Sequence, residues 1–129
     1  MSNSRDLLEK IIDQELRARE FGFYWERIEQ LLEQIKSECD EIQEAWRQGD
    51  RKHLQEEIGD LMNAATSIAI FCGMSPVETL QRSIEKFQAR YDALVEFVKL
   101  DGRKDLKNQP FELLIEYWNR AKKATSSTE

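Results

Sequence analysis

The chain has 129 residues, of which 40% are hydrophobic and 34% are charged, with only five glycines and two prolines. This length suits one domain with one core, and the scarcity of Gly and Pro favours an all-α protein over a turn-rich sheet. The net charge of −6 argues against a nucleic-acid partner, because nucleic-acid phosphates would be repelled. A bound phosphate compound would therefore need a metal ion.

No stretch of the sequence is typical of a membrane or targeting segment. The N-terminus leads directly into a charged amphipathic stretch and lacks the apolar core of a signal peptide. The longest uncharged run, residues 61–77, is too short and too interrupted to span a bilayer, so it is predicted to be a core helix. Cys39 and Cys72 lack the spacing and His partners of a zinc site and are predicted to be buried and reduced. We therefore expect a cytoplasmic protein without membrane contact.

The first predicted element is an amphipathic helix over about residues 4–20, with Ser4 as its N-cap. It ends near Gly22, inside an aromatic segment at residues 21–25. That segment has more aromatic residues than a simple linker needs. It favours packing over a neighbouring element, with the lining of a base pocket as the weaker alternative.

Two further amphipathic helices, over about residues 26–48 and 51–71, are predicted to form a tight hairpin. Gly49 suits the C-terminal cap of the first helix, and Asp50 suits the N-cap of the second. After Asp60 the second helix is apolar on nearly all sides, which predicts burial on most of them.

Two more helices complete the predicted chain. Ser75 and Pro76 are typical of a helix start, and the helix that follows runs to about residue 100. A polar loop comes next, and Pro110 opens a final helix. We expect one domain over residues 1–129, with a frayed tail at residues 124–129.

Each helix of the predicted hairpin carries two acids three positions apart, Glu38 with Glu41 and Glu57 with Asp60. This spacing puts both carboxylates of a pair on one helix face, beside the apolar stripe, so the hairpin can bring the two pairs together. A single pair is usually no more than a solvated surface, whereas converging carboxylates repel each other unless a cation joins them. An all-oxygen ligand set selects Mg²⁺, or Mn²⁺ in its place.

This acid pattern, with its surroundings, resembles the MazG-type nucleotide pyrophosphohydrolases, all-α enzymes that split nucleoside triphosphates into monophosphate and pyrophosphate. The two acid pairs match the family's Glu-x-x-Glu and Glu-x-x-Asp. Residues 85–91 look like its Lys-Phe-x-x-Arg-Phe element, residues 116–122 look like its C-terminal Trp-x-x-(Ala/Val)-Lys element, and residues 23–25 echo its Phe-x-Trp motif. The similarity covers a core at about residues 21–123 and leaves the N-terminal helix, residues 1–20, and the tail outside.

The resemblance implies a four-helix core whose four acids hold one or more Mg²⁺ ions. Glu41 is the predicted general base toward the attacking water. Lys86 and Arg90 are predicted to face the phosphates, with an ordinary exposed cationic pair as the alternative. His53 near the phosphates and Trp118 against the base are further substrate-binding predictions, for which a solvated His and a buried Trp are the alternatives.

The resemblance also implies a homodimer, or a dimer of dimers, whose interface completes the nucleotide site. The expected function is Mg²⁺-dependent pyrophosphohydrolysis of nucleoside triphosphates, as house-cleaning of non-standard nucleotides. Two alternatives remain: a narrower relative, such as a dCTP/dUTP or phosphoribosyl-ATP pyrophosphohydrolase, or a catalytically weak helical binding or regulatory module. The module is favoured by Ile84, which replaces a usual Asn, and by Ile70, which stands where Arg is common. Ser67 is a further departure from the family pattern, at a position where Asn is common.

Overall fold

Five α-helices and no strand make up the part of the chain that this computed structural model describes, residues 4–126 with side chains from Asp6 onward. The helices are α1 (Ser4–Phe21), α2 (Ile28–Gln48), α3 (Arg51–Phe71), α4 (Pro76–Leu100) and α5 (Phe111–Thr125). The prediction of an all-α fold with an additional N-terminal helix is confirmed. The Ser4 side chain, predicted as an N-cap, and residues 127–129 of the predicted tail lie outside the described part.

The turn between α2 and α3 forms as its sequence predicts. Gly49 ends α2 with φ of 70°, in the left-handed region that favours glycine, and its N–H donates to Trp46 O at 3.2 Å. Asp50 caps α3, because its Oδ1 accepts a hydrogen bond from the backbone N–H of His53 at 3.1 Å. The two helices therefore pack as a tight hairpin.

The chain divides into two compact units, Met1–Thr79 and Leu80–Glu129. The first contains α1, α2, α3 and the start of α4, and the second contains the remainder of α4 with α5. Each unit has its own buried apolar side chains: Leu31, Ala45 and Leu54 in the first, and Val98, Tyr117 and Ala121 in the second. In the first unit, α2 and α1 both pack against α3.

Several positions that the sequence predicts to be buried are exposed. Met62 is 66% exposed and Ile58 is 41% exposed, both on α3. Cys39 and Cys72 are free thiols and both are exposed, so the prediction that they are buried is wrong. The physical reason is that only α1 and α2 pack against α3 within the first unit, which leaves part of the hairpin surface uncovered.

The apolar run at residues 61–77 lies mostly in α3 and is covered only on the faces that meet α1 and α2. Most residues of α3 after Asp60 are buried or half-buried, but Met62 and Ala65 are exposed, so the prediction of burial on most sides fails at these two positions. No single helix in the described chain is long and apolar enough to cross a membrane; only α3 and α4, taken together as a broken pair, meet those criteria.

The second unit is held by a polar contact between the end of α4 and α5. Asp101 Oδ2 accepts hydrogen bonds from Tyr117 OH and from Arg120 Nη1, each at 2.7 Å. The guanidinium of Arg120 also lies over the ring of Phe97, 4.6 Å from its centroid. Pro110 begins α5 as predicted, and the helix continues to Thr125, two residues into the predicted tail.

Candidate metal centre

Three of the four predicted acids converge between α2 and α3. One carboxylate oxygen from each of Glu38, Glu41 and Glu57 lies within 4.8 Å of the other two. Glu38 and Glu57 are buried, 6% and 8% exposed, whereas Glu41 is open to solvent. The i, i+3 spacing turns Glu38 and Glu41 to the same face of α2, and the hairpin sets that face against α3. The cluster is therefore enclosed at its base and accessible from one side.

With all its carboxylates ionised, this acidic cluster has two buried oxygens without a hydrogen-bond partner among the described residues. Glu38 Oε1 accepts from Gln34 Nε2 at 2.7 Å, but Glu38 Oε2 is buried without a partner among the described residues. Glu57 Oε2 is likewise buried without a partner among the described residues. Glu57 Oε1 lies 3.8 Å from His53 Nε2. Because a buried carboxylate oxygen is costly unless something compensates its charge, these two oxygens indicate a site that suits a cation.

The electrostatics of the cluster lead to the same inference. The pKa of Glu57 is raised to about 8, first by hydrogen bonding to Glu41 and then to Glu38, with burial and the charges of both neighbours adding to the shift. Without a cation, Glu57 therefore holds a proton at neutral pH. All the donors are carboxylate oxygens, which fit a hard divalent cation and not a soft one.

Asp60, the fourth predicted ligand, lies outside this three-carboxylate group. It is exposed and lines, together with Glu38, a cavity of about 300 Å³. Its role as a metal ligand stays a prediction. His53 is half-buried in the first turn of α3, beside Glu57, and its contact with phosphates likewise stays a prediction.

The remaining predicted substrate residues belong to the second unit. Lys86 is exposed on α4, and Arg90 follows one turn later and is half-buried. Trp118 on α5 packs at a tilt against Phe87, with ring centroids 5.5 Å apart. Trp118 is half-buried within its own unit, and both its burial against the helical hairpin and the contacts of all three residues with substrate stay predictions.

The sequence interpretation missed Gln34 and Asn63, which lie next to the acids. Gln34 precedes Glu38 by one helical turn and fixes one of its oxygens, while Asn63 follows Asp60 by one turn and lines the same cavity. Amide residues at i−4 and i+3 from an acid were the available signal. That signal is weak, because the same spacing is common on solvated helix faces.

A second cavity, of about 380 Å³, lies between α1, the aromatic segment and α3. It shares Trp25 and Asn63 with the cavity that contains Glu38 and Asp60. The sequence favoured packing of the aromatic segment over a neighbouring element. The Phe23 ring does not pack in this way, because it is 82% exposed.

Comparison with known proteins agrees with the acid pattern. Residues 26–95, more than half of the chain, match the family described as the MazG nucleotide pyrophosphohydrolase domain. The chain is 34% identical over 105 residues to the nucleoside triphosphate pyrophosphohydrolase/pyrophosphatase MazG of Thermotoga maritima, and 28% identical over 109 residues to the nucleoside triphosphate pyrophosphohydrolase of Escherichia coli K12. These matches cover 81% and 83% of this chain but 40% and 41% of the relatives, so the chain spans about two fifths of their length. The family match and the converging acids together place this chain in the MazG nucleotide pyrophosphohydrolase family.

Proposed function

We propose that the protein is a Mg²⁺-dependent nucleoside triphosphate pyrophosphohydrolase that releases the monophosphate and pyrophosphate. The observation that carries this proposal is the convergence of Glu38, Glu41 and Glu57 around two buried, unpartnered oxygens. The relatives from Thermotoga maritima and Escherichia coli are nucleoside triphosphate pyrophosphohydrolases, which supports the proposed reaction. Clearance of non-standard nucleotides in the cytoplasm is the role that we propose for it.

The burial of each acid in the cluster suggests its role in binding the metal ion. Glu38, Glu41 and Glu57 would hold the cation, with Asp60 as a fourth ligand from the next turn of α3. Gln34 fixes Glu38 Oε1, which leaves Oε2 free for the cation. A bound Mg²⁺, or Mn²⁺ in its place, neutralises the triphosphate and lowers the pKa of a water molecule.

Glu41 is the proposed general base. It is the one acid of the converging group that is exposed, so water and substrate can reach it. It accepts a proton from the water that attacks the α-phosphorus, and pyrophosphate leaves. Lys86 and Arg90 supply fixed positive charge to the phosphates, and Arg90 suits a bidentate contact.

We also propose that the protein is a homodimer or a dimer of dimers. Four large apolar side chains at helical spacing are exposed along one stripe of α4: Leu80, Ile84, Phe87 and Tyr91. Met62 and Ile58 are exposed on α3. A row of exposed apolar side chains of this kind is typical of a protein–protein association site. Light scattering on a size-exclusion column measures the assembly directly.

The test of the activity is pyrophosphate release from a panel of ribo- and deoxynucleoside triphosphates, with Mg²⁺, with Mn²⁺ and with chelator. We expect metal-dependent release from at least one of them. Glu57→Gln removes a proposed metal ligand and should lower the rate of pyrophosphate release at least about 100-fold. Loss of a residue that only supports a ligand already costs up to about that much. Glu56→Gln is the matched control, because Glu56 is the exposed neighbour on the same helix. Undiminished hydrolysis by Glu57→Gln would contradict the proposed site.

One observation favours a second candidate, a catalytically weak binding module. Ser67 stands where the family resemblance places Asn, and its hydroxyl donates to Glu15 of α1. The Ser67 side chain therefore stabilises the packing of α3 against α1. Absence of pyrophosphate release from the whole panel, with nucleotide binding retained, would support the module. A response confined to dCTP, dUTP or phosphoribosyl-ATP would indicate the narrower enzyme class.

A further inference from the structure

We propose that α1 and the aromatic segment form a pocket for the nucleoside part of the substrate, next to the acids that hold its phosphates. This proposal rests on the proposed function and adds a binding pocket for the base and sugar of the substrate. The pocket is the 380 Å³ cavity between α1 and α3. That volume falls in the range of about 300–1,000 Å³ that is usual for small-molecule sites.

The pocket is formed largely by this chain's own N-terminal part. Seven of its eight lining residues precede residue 26, where the family match begins. Ile11, Gln14 and Ala18 come from one face of α1, at spacings of three and four residues. Asn63 of α3 closes the side toward the acids.

Continuity with the acidic cavity identifies the occupant. Trp25 and Asn63 line both spaces, and the second space contains Glu38 and Asp60. A triphosphate held at those acids has to place its nucleoside within a short distance of them. The adjoining cavity offers an aromatic wall beside those acids, because Trp25 lines both spaces.

The chemistry of the lining matches a nucleobase. Phe23, Tyr24 and Trp25 provide aromatic faces on which a base can stack. Arg19 lies over the Tyr24 ring, 5.4 Å from its centroid, and so helps to hold that ring in place. The side-chain amides of Gln14 and Asn63 can each donate and accept hydrogen bonds, which suits the mixed donors and acceptors of a base edge.

A buried polar contact fixes α1 as a wall of the pocket. The Ser67 hydroxyl on α3 is 5% exposed and donates to Glu15 Oε1 on α1. This contact links α1 to α3 directly, and the same hydroxyl also lies 3.2 Å from the backbone oxygen of Asn63. Glu15 is therefore a positioning residue that sets the distance between α1 and Asn63.

The test is equilibrium binding of the common ribo- and deoxynucleoside monophosphates by titration calorimetry, with Mg²⁺ present. We expect the protein to bind at least one of them. Ala18→Phe fills the pocket from α1 and should raise the Kd at least about tenfold, the scale of a lost stacking contact. Glu20→Phe, an exposed position on the same helix, is the control and should leave the Kd unchanged.

A second variant guards against misfolding of the first. Gln14→Ala removes only an exposed amide from the wall and should also raise the Kd, while the Mg²⁺-induced rise in Tm stays as in the wild type. The proposal is overturned if no monophosphate binds, or if Ala18→Phe and Gln14→Ala bind as the wild type does. The proposed function fails separately, if monophosphates bind but no triphosphate releases pyrophosphate.

Discussion

Binding of Mg²⁺ should release a proton from Glu57, and the number released can be worked from the structure. The pKa of Glu57 in the metal-free protein is raised to about 8, chiefly by hydrogen bonding to Glu41 and Glu38. A carboxylate must be ionised to serve as a metal ligand. We therefore expect about 0.9 proton released per Mg²⁺ at pH 7 and about 0.1 at pH 9, from the fraction of a pKa 8 group that is protonated.

Calorimetric titration of the chelator-stripped protein with Mg²⁺, in buffers of different ionisation enthalpy, measures this number. The heat of binding should depend on the buffer at pH 7 and scarcely at pH 9. Glu57→Gln removes the titrating group and should abolish the dependence at pH 7. Glu56→Gln leaves the cluster intact and should retain it.

Three results would refute the reasoning. Binding of Mg²⁺ with no proton release at pH 7 would mean that Glu57 is already ionised in the metal-free protein. A proton release equal in the wild type and in Glu57→Gln would assign it to another group. Complete absence of Mg²⁺ binding would remove the metal site itself.

Three further predictions follow from other contacts. Glu41→Gln should lower kcat by roughly 10²–10⁴, as expected for loss of a general base, while the exposed Glu44→Gln should leave kcat unchanged in the same pyrophosphate-release assay. Arg120 and then Tyr117 hold the pKa of Asp101 below its usual range, so its stabilising effect is present above its ordinary pKa of 3.8 and is lost as the pH falls through the lowered value. Asp101→Asn should therefore lower Tm by about a few degrees at pH 7, and the difference from the wild type should shrink in acid, as thermal melts followed by circular dichroism would show. Met62→Glu should shift the assembly toward monomer in light scattering, and an unchanged mass would place the dimer contact elsewhere on the molecule.

Local sequence was sufficient to predict the helices and the hairpin. Helix ends depend on near neighbours, so Gly49, Asp50 and Pro76 identify them without knowledge of the rest of the chain. Acids three residues apart must share a helix face, and a tight hairpin must bring two such faces together. For these reasons the convergence of Glu38 and Glu41 with Glu57 could be predicted from the sequence.

Tertiary packing decided which side chains are enclosed, since that depends on the rotation of each helix and on what covers it. The sequence assigned Asp60 to the acid group, but the structure places it outside the three converging carboxylates. Cys39 lies on an apolar stripe and is nevertheless exposed, because no element of its own unit covers that side of α2.

The pocket beside the acids depends wholly on tertiary structure. Ser67 and Glu15 are 52 residues apart, and their contact brings α1 against α3 to make the pocket wall. No local pattern encodes such a pair, because each residue alone reads as an ordinary helical polar position. The sequence by itself determined the five helices and the chemistry of the acids, while the enclosed space next to them arose only when helices distant in the chain packed together.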